Sequence, residues 1–337
     1  MRNVSAIVIQ RHGPPAEAAR VEPVALPDPQ PHEALVRMLA APINPADLNL
    51  IEGKYGIRPE LPAVMGIEGA GRVEEIGSAV TNLKPGALVL MPTRAGAWRE
   101  ASVVAANDLI AVPEGIAPEQ AAMLRVNPAT AWRMLHDFVP LARGDCVVQN
   151  AANSAVGRAV NDIGRELGFR ILNVARRDDA VEEFRGSGSE AFLDNDDLGA
   201  ALERATNGAP IRLALNAVGG DSALRLAKAL ATGGTIVTYG AMSRQPLRIP
   251  AGLLIFSDVR WRGFWVTRWF EAATAGERAA MFGEIFSLAR RGVIGAKIER
   301  VYPITAVSEA LTHAAQGGRS GKILFGFDHS VLEKFPR

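Results

Sequence analysis

Residues 145–176 read DCVVQNAANSAVGRAVNDIGRELGFRILNVAR, and the fold of the chain is decided here. A short apolar run at 146–148 leads into a turn of small residues at 150–155. Apolar residues then recur at helical spacing over 156–167, and a second β-branched run begins at Ile171. The order strand, turn, helix, strand predicts the opening βαβ unit of a dinucleotide-binding domain.

The turn of this unit carries a reduced form of the glycine fingerprint. A helix N-terminus presents unsatisfied N–H groups and a partial positive charge, and both favour an anion such as pyrophosphate. The three glycine slots hold Ala152, Ser154 and Gly157, so only the third is glycine. The turn alone is as typical of an ordinary βα loop as of a dinucleotide site.

The end of the second strand indicates which dinucleotide would bind. An NAD site places a carboxylate there for the ribose hydroxyls, whereas this chain has Ala175, Arg176 and Arg177. Arginine pairs well with a 2′-phosphate, so we expect NADPH as the cofactor. The alternative is a solvated basic turn that binds nothing.

Composition sets the broad class of the protein. The chain has 337 residues, 48% hydrophobic and 22% charged, which is enough for a globular protein of two domains. A formal net charge of +1 gives no general reason to expect nucleic acid or a membrane as partner. The single cysteine, Cys146, excludes a disulfide scaffold and a cysteine-rich zinc lobe.

The N-terminal residues 1–10 alternate like a strand and lack the charged start and apolar core of a signal peptide. No uncharged apolar stretch approaches the roughly 18 residues that a membrane span needs. A cytoplasmic location is therefore expected.

Two structural patterns follow one another along the chain. Residues 5–113 show short β-type runs punctuated by Gly and Pro, which predict a partly closed, mainly antiparallel β domain without a helix of any length. Its predicted strands are 6–9, 34–39, 70–76, 88–91 and 101–104, and a helix is predicted at 118–135. Strands and helices then alternate: 145–149, 154–167, 170–174, 178–185, 190–193, 196–205, 212–216, 221–229, 235–239 and 259–264.

Six strands with intervening helices predict a doubly wound parallel sheet, so the fold class is α/β. The tail is predicted to form a helix (279–291), a strand (298–302), a helix (306–315) and a strand (322–327) that pack back on the first domain. The expected domains are 1–123 for the first part of the β domain, 124–265 for the dinucleotide domain and 266–337 for the returning segment.

This domain order resembles the medium-chain dehydrogenase/reductase superfamily, whose members combine a GroES-like β domain with a Rossmann domain. Zinc members of that superfamily place Cys near the position of Asn44 and His near Ile67, and neither ligand occurs here. The five histidines also lack ligand spacing. The resemblance therefore implies a zinc-free oxidoreductase without a metal.

Among the zinc-free members, the chain is similar to the 2-enoyl thioester reductases of mitochondrial-type fatty acid synthesis. The similarity rests on INPADLNLIEGKYGIRPELPAV (43–64), VNPATAWRML (126–135), QNAANSAVG (149–157), YGAM (239–242) and LLIFSDVRWRGFW (253–265). Three residues depart from the pattern of that family: Arg125, Ala155 and Asp178. The similarity implies reduction by NADPH of the C2=C3 double bond of trans-2-enoyl thioesters of coenzyme A or acyl carrier protein, within fatty acid metabolism.

Carried over residue by residue, the resemblance makes Tyr55 the catalytic acid. It assigns the following residues to the cofactor: Asn127, Asn153, Ser154, Ala155, Val156, Arg176, Arg177, Tyr239, Gly240, Ala241, Met242, Phe264, Trp265, Val266, Thr267 and Lys322. Asn44 and Trp265 are candidates for substrate contact. Asn44 before Pro45 is also typical of a turn cap, and Trp98, a further candidate to flank an acyl chain, is also typical of a core residue.

The residues around Tyr55 agree with that role. Tyr55 lies between Gly53 and Gly56 beside a proline-rich stretch, which indicates an exposed loop. A tyrosine hydroxyl ordinarily titrates near pH 10 and so stays protonated at neutral pH. The implied reaction is conjugate reduction, in which hydride from C4 of NADPH reaches C3 and Tyr55 protonates C2, directly or through water. The alternative is a packing tyrosine.

Two other functions remain open. One is a zinc-free NADPH quinone or α,β-unsaturated carbonyl oxidoreductase of the same superfamily. The other is a catalytically idle NADPH-binding protein with a regulatory role. The last predicted strand, 259–264, is expected to be an apolar edge strand of the parallel sheet. The resemblance implies that two such edges join across a two-fold axis, so a homodimer is predicted whichever function is correct.

Overall fold

The computed structural model describes residues 2–335. The chain forms two compact units, one made of Met1–Val126 with Gly295–Arg337 and the other of Asn127–Ile294. None of the described helices is long and apolar enough to cross a membrane.

The elements follow in chain order. The N-terminal part contains β1 (Arg2–Ile9), α1 (Pro15–Ala18), β2 (Ala19–Leu26), β3 (Glu33–Pro42), α2 (Pro45–Ile51), β4 (Ala63–Val64), β5 (Ala70–Ile76), β6 (Leu88–Leu90), β7 (Ala101–Ala105), β8 (Ile110–Ala111) and α3 (Pro118–Ala121). The central part contains α4 (Asn127–His136), β9 (Cys146–Gln149), α5 (Ala155–Glu166), β10 (Arg170–Ala175), α6 (Asp178–Gly186), β11 (Ala191–Leu193), α7 (Leu198–Thr206), β12 (Ile211–Asn216), α8 (Gly220–Lys228), β13 (Thr235–Thr238), α9 (Ala251–Ile255), β14 (Arg260–Gly263), α10 (Val266–Ala272) and α11 (Ala275–Arg290). The C-terminal part contains β15 (Ile298–Pro303), α12 (Val307–Ala315), β16 (Lys322–Gly326) and α13 (His329–Glu333).

The first unit is built on two β-sheets. Three strands run in the order β2-β1-β4, and a larger sheet has the order β15-β16-β3-β5-β6-β8, with β7 also paired to β3. Apart from the parallel pair β15 and β16, these neighbours are antiparallel. The predicted, mainly antiparallel β domain is confirmed. Strand β16 lies beside β3, so the end of the chain completes this sheet.

The second unit contains a six-stranded parallel sheet in the order β11-β10-β9-β12-β13-β14. Counted from β9, this is the order 3-2-1-4-5-6 of a dinucleotide-binding domain, so the predicted doubly wound sheet is confirmed. Because the strands are parallel, their carboxyl ends meet at one edge. All four residues of β9 are buried, as its apolar run 146–148 predicts for the first three.

Three features differ from the sequence predictions. The predicted helix at 118–135 is two helices, α3 and α4, because Pro128 has no N–H to continue the helical ladder and instead lies at the beginning of α4. The β domain, expected to lack helices, contains the seven-residue α2, which begins at Pro45. Residues 266–294 belong to the second unit, where Arg291 forms an ion pair with Glu166, rather than to the returning segment.

Candidate active site

The predicted cofactor residues of the second unit follow the carboxyl ends of four parallel strands. Residues 153–156 follow β9, Arg176 and Arg177 follow β10, 239–242 follow β13, and 264–267 follow β14. The fold therefore brings these segments to one edge of the sheet, which is where doubly wound sheets bind ligands. Asn127 is the first residue of α4 in the same unit.

The turn before α5, predicted to bind the phosphates, is a serine-capped helix start that depends on one glycine. Ser154 is its N-cap residue, and its Oγ accepts a hydrogen bond from the backbone N–H of Gly157 at 3.1 Å. A Cβ at Gly157 would lie 2.4 Å from the carbonyl oxygen of Ala152, which no side chain tolerates. The third glycine is thus required sterically, although the first two slots accept Ala and Ser.

Two buried donors of this unit have no hydrogen-bond partner among residues 2–335. They are the hydroxyl of Tyr239 and the side-chain nitrogen Nδ2 of Asn127. Burial raises the pKa of Tyr239, and the nearby Ser154 side chain opposes this shift. Unpartnered buried donors are rare in native proteins. Both residues are expected to contact a dinucleotide, and their free donors fit such a ligand.

The two arginines after β10 differ in their surroundings. Arg176 is exposed and makes no ion pair with any residue that the structure describes. Arg177 precedes α6, and its Nε lies 3.0 Å from the carboxylate of Asp179. Arg176 is therefore the freer cation for a 2′-phosphate, while Arg177 would have to share its charge with Asp179.

A network of hydrogen bonds among polar side chains, not predicted from the sequence, fixes the strand ends. Asn150 donates from Nδ2 to Oδ1 of Asn216 at 2.9 Å, and its own Oδ1 accepts from the N–H of Ala217 at 2.7 Å. Asn216 in turn donates to Oγ1 of Thr238 at 3.0 Å. The sequence feature that could have indicated this network is the polar residue at or just after the end of each of the strands β9, β12 and β13. This hydrogen-bond network holds the loop after β12 against the segment 239–242.

The first unit contains the other predicted residues, Tyr55, Asn44 and Lys322. Tyr55 is half-buried in the loop that follows α2 and packs against the core of this unit. The loop leaves α2 through Gly53 at a φ of 70°, and the carbonyl of Gly53 accepts a hydrogen bond from Arg58 at 3.0 Å. Tyr55 is therefore neither fully exposed nor part of the deep core.

Asn44 and Lys322 belong to a buried polar cluster with Asp47 and Glu68, all four at most 8% exposed. Lys322 Nζ donates to Asn44 Oδ1 at 2.5 Å, and Asn44 Nδ2 donates to Glu68 Oε1 at 2.8 Å. Asp47 accepts from the backbone N–H groups of Asn44 and Ile67, each at 2.9 Å. Asn44 stands near the position, and Glu68 next to the position, at which the resemblance places the Cys and His ligands of zinc members.

Burial dominates the titration of this cluster. It raises the pKa of Asp47 to about 7 and also raises the pKa of Glu68, because a charge away from water is unfavourable. Burial lowers the pKa of Lys322 to about 8, although the charges of Glu68 and Asp47 oppose this shift. The positive charge of Lys322 favours the ionised forms of both Asp47 and Glu68.

The structure gives Asn44, Lys322 and Trp98 surroundings that differ from those expected from the sequence. Asn44 is indeed the N-cap residue of α2, but its side chain points to Glu68 and Lys322. Lys322 has its Nζ on Asn44 and on the carbonyl of Ile43 at 3.3 Å, so its expected cofactor contact stays a prediction. Trp98 is fully buried and donates to the carbonyl of Pro42, so the suggestion that it flanks an acyl chain is wrong.

Trp265 is half-buried at the beginning of α10, so a substrate contact by this residue stays a prediction. Arg125, one of the departures from the family pattern, is 5% exposed in the first unit and donates to the carbonyl of Asp108 at 3.4 Å. Its charge favours the ionised form of Glu68.

Glu68 and Asp47 were not identified as functional candidates from the sequence. The signal was present in GIEG (66–69) and PAD (45–47), where a carboxylate stands among residues that the fold buries. Within the described residues 2–335, no group of three or more His, Cys, Asp or Glu side chains is arranged to hold a metal ion.

Comparison with known proteins gives a consistent family. Residues 30–114 match the alcohol dehydrogenase GroES-like domain, and residues 155–280 match the family described as zinc-binding dehydrogenase. The enoyl-[acyl-carrier-protein] reductase, mitochondrial, of Homo sapiens is 41% identical over 91% of this chain and 84% of its own length. The protein of the same name from Dictyostelium discoideum is 38% identical over 94% of this chain and 93% of its own length.

Solved structures agree with these relatives. The complex of Etr1p with NADP and crotonyl-CoA superposes with a TM-score of 0.88 at 28% identity, covering 97% of this chain and 100% of that one. The mitochondrial 2-enoyl thioester reductase Etr1p/Etr2p heterodimer from Candida tropicalis gives a TM-score of 0.87 at 28% identity, with the same coverage. A Bacillus thuringiensis protein described as an NADPH:quinone reductase superposes with a TM-score of 0.90 at 27% identity, covering 97% of this chain and 99% of that one.

The relatives correct the expected location. The enoyl-[acyl-carrier-protein] reductases of Homo sapiens, Dictyostelium discoideum and Arabidopsis thaliana are all named mitochondrial. The prediction of a cytoplasmic location is therefore wrong by this comparison. It relied on the absence of a signal-peptide pattern, which concerns secretion and says nothing about organelles.

Proposed function

Because the chain belongs to the medium-chain dehydrogenase/reductase superfamily, and within it to the enoyl thioester reductases, we propose that it reduces the C2=C3 double bond of trans-2-enoyl thioesters with NADPH. The observation that carries this proposal is identity of about 40% to enoyl-[acyl-carrier-protein] reductases over nine tenths of the chain. The fold neighbour with NADP and crotonyl-CoA supports the cofactor and the substrate class. The reaction belongs to fatty acid metabolism.

NADPH, when bound, supplies the hydride for C3 of the substrate. The residues that would hold it in the second unit are the beginning of α5 for the phosphates, Arg176 and Arg177 for the 2′-phosphate, and the segments 239–242 and 264–267 for the nicotinamide. Asn127 and Tyr239 offer the unpartnered donors described above. Lys322 is the contact expected from the first unit.

Tyr55 supplies the proton in this proposal. When C3 gains a hydride, negative charge develops on the thioester oxygen and C2, and a positioned donor lowers the energy of that state. The Tyr55 hydroxyl delivers its proton to C2, directly or through one water, and regains a proton from solvent. The saturated thioester and NADP⁺ are the products, so hydride and proton account for both added hydrogens.

The assembly that we propose is a homodimer. Strand β14 has one paired side, against β13, and is the last strand in the sheet of the second unit. The segment just before it exposes Leu254, Ile255 and Phe256 by 46%, 70% and 84%. An edge strand next to an apolar patch is a typical surface for a second copy across a two-fold axis. The dimeric Etr1p/Etr2p neighbour supports pairing of such chains.

The second candidate function is quinone or enone reduction, which the Bacillus thuringiensis neighbour favours. One experiment separates the candidates: NADPH oxidation is followed with trans-2-butenoyl-CoA, with a quinone, and without acceptor. The proposal expects turnover with the thioester to exceed turnover with the quinone at least tenfold. Preference for the quinone would replace it with the second candidate, and NADPH binding without any turnover would indicate the idle regulatory protein.

A further inference from the structure

Glu68 lies at the centre of the buried cluster because each of its carboxylate oxygens accepts from a different segment. Oε1 accepts from Asn44 Nδ2 at 2.8 Å, and Oε2 accepts from the backbone N–H of Val126 at 2.9 Å. The side chain has no exposed surface. Both oxygens are thus occupied by donors, and the Val126 contact fixes the carboxylate relative to the main chain.

The hydrogen bonds around Asn44 run in one direction only. Lys322 is a pure donor and its Nζ donates to Asn44 Oδ1, whereas both oxygens of Glu68 accept N–H groups, Oε1 from Asn44 Nδ2 and Oε2 from Val126. A flipped Asn44 amide would put two donors together at Lys322 and two acceptors together at Glu68. The donor at Lys322 and the acceptor at Glu68 therefore favour one orientation of the Asn44 side-chain amide.

The orientation of Asn44 matters because this residue begins α2. Asn44 is the N-cap residue, the helix runs from Pro45 to Ile51, and Asp47 holds the Asn44 N–H at 2.9 Å. Tyr55 follows four residues after the helix ends. A short helix anchored at its first residue transmits a small rotation there to the loop that follows, and errors of about 1 Å at a reacting group cost up to roughly 10²-fold in rate.

We propose that Glu68 is a positioning residue for the reduction, which holds Tyr55 in place through Asn44 and α2. This inference rests on the proposed role of Tyr55 as proton donor. Lys322 acts with Glu68 as the counter-charge that completes the arrangement. The role is distinct from substrate or cofactor contact, since Glu68 touches only Asn44 and Val126 in the described hydrogen bonds.

The test compares Glu68→Gln with the parent and with Tyr55→Phe. Glutamine keeps the size of the side chain but offers one acceptor and one donor group, so one of its two partners meets a donor. Turnover at saturating NADPH and trans-2-butenoyl-CoA is expected to fall roughly 10- to 100-fold. In the Tyr55→Phe background the same substitution should lower turnover less than about threefold, because the group that Glu68 positions is already gone.

A matched control is Glu119→Gln. Glu119 is another buried carboxylate of the first unit, 6% exposed, and its partner is Lys334 at 3.1 Å. It lies outside the cluster, so its substitution should change turnover less than about threefold even if the melting temperature falls. Turnover is expressed per NADPH-binding site, which removes any contribution from unfolded protein.

The outcomes are distinct. An unchanged turnover for Glu68→Gln, or a loss of the same size in the Tyr55→Phe background, would overturn the positioning role. If Glu68→Gln does not fold, Asn44→Ala removes the bridge while leaving both charges, and the same dependence on Tyr55 is expected. A parent protein without thioester reduction would instead contradict the proposed function, before any variant is compared.

Discussion

The hydroxyl of Tyr55 is the group on which the proposed chemistry depends at the scale of single residues. Tyr55→Phe should leave NADPH binding unchanged and lower turnover by roughly 10²- to 10⁴-fold, the usual contribution of one acid–base group. The ring remains, so its packing against the core should change little. Steady-state turnover with a saturating enoyl thioester and NADPH measures the effect.

Tyr302→Phe is the control for this substitution. It removes one hydroxyl, which bonds His313 at 2.9 Å in the first unit and has no proposed part in the reaction. Its turnover should stay within about threefold of the parent. Equal rates for Tyr55→Phe and the parent would make Tyr55 a packing residue.

Cofactor choice also belongs to single residues, because it rests on Arg176 and Arg177. Replacing both by Ala should remove most of a preference for NADPH over NADH, since charge-assisted contacts contribute roughly 1.5 to 3 kcal/mol each. Affinities for the two cofactors, measured by fluorescence titration, give the ratio. Arg204→Ala, an exposed arginine of α7 in the same unit, should leave the ratio unchanged. Equal affinity of the parent for both cofactors would refute the assignment.

The sequence predicted these residues unevenly, for physical reasons. The place of Arg176 and Arg177 at the end of β10 was predictable because they follow directly after a strand whose apolar pattern is plain. Glu68 was not, because the value of a buried carboxylate depends on Asn44 and Lys322, which are remote in sequence and meet only in the folded unit. Local patterns carry no information about such a contact.

At the scale of elements, the βα turn before α5 can be tested through Gly157. Gly157→Ala should destabilise the protein by more than about 1 kcal/mol and weaken NADPH binding, because its Cβ would meet the carbonyls of Ala152 at 2.4 Å and Ala151 at 2.7 Å. Gly283→Ala, in α11 with nothing within 4 Å of the new Cβ, should be neutral or stabilising by up to about 1 kcal/mol. Thermal unfolding with and without NADPH compares the two. Similar effects of both would show that the turn tolerates a side chain.

The helices and strands were predictable where hydrophobic periodicity is strong. They were not predictable where a proline begins a new helix. Strands β9, β10 and β12 and helix α5 lie within a residue or two of their predicted positions. Helix α2 was missed because seven residues beginning with Pro45 read as a loop. The gap between α3 and α4 was missed because Pro128 lies inside an otherwise helical pattern.

At the scale of the whole molecule, the edge strand β14 and the patch around Phe256 predict assembly. The protein should be a dimer at micromolar concentration by light scattering. Ile255→Asp together with Phe256→Asp should shift it toward monomer, since two charges would be buried without partners at the contact. Leu61 is an apolar residue of the first unit whose surface is 40% exposed, and Leu61→Asp should leave the mass of the assembly unchanged. A monomeric parent protein would contradict the assembly.

The central claim is that the chain transfers hydride to C3 of an enoyl thioester. The most direct measurement uses NADPH carrying two deuterium atoms at C4, with trans-2-butenoyl-CoA in ordinary water, and locates the label in the product by NMR and mass spectrometry. The account predicts butanoyl-CoA with one deuterium at C3 and none at C2. A saturated product without deuterium at C3, or oxidation of NADPH without a saturated product, would contradict it.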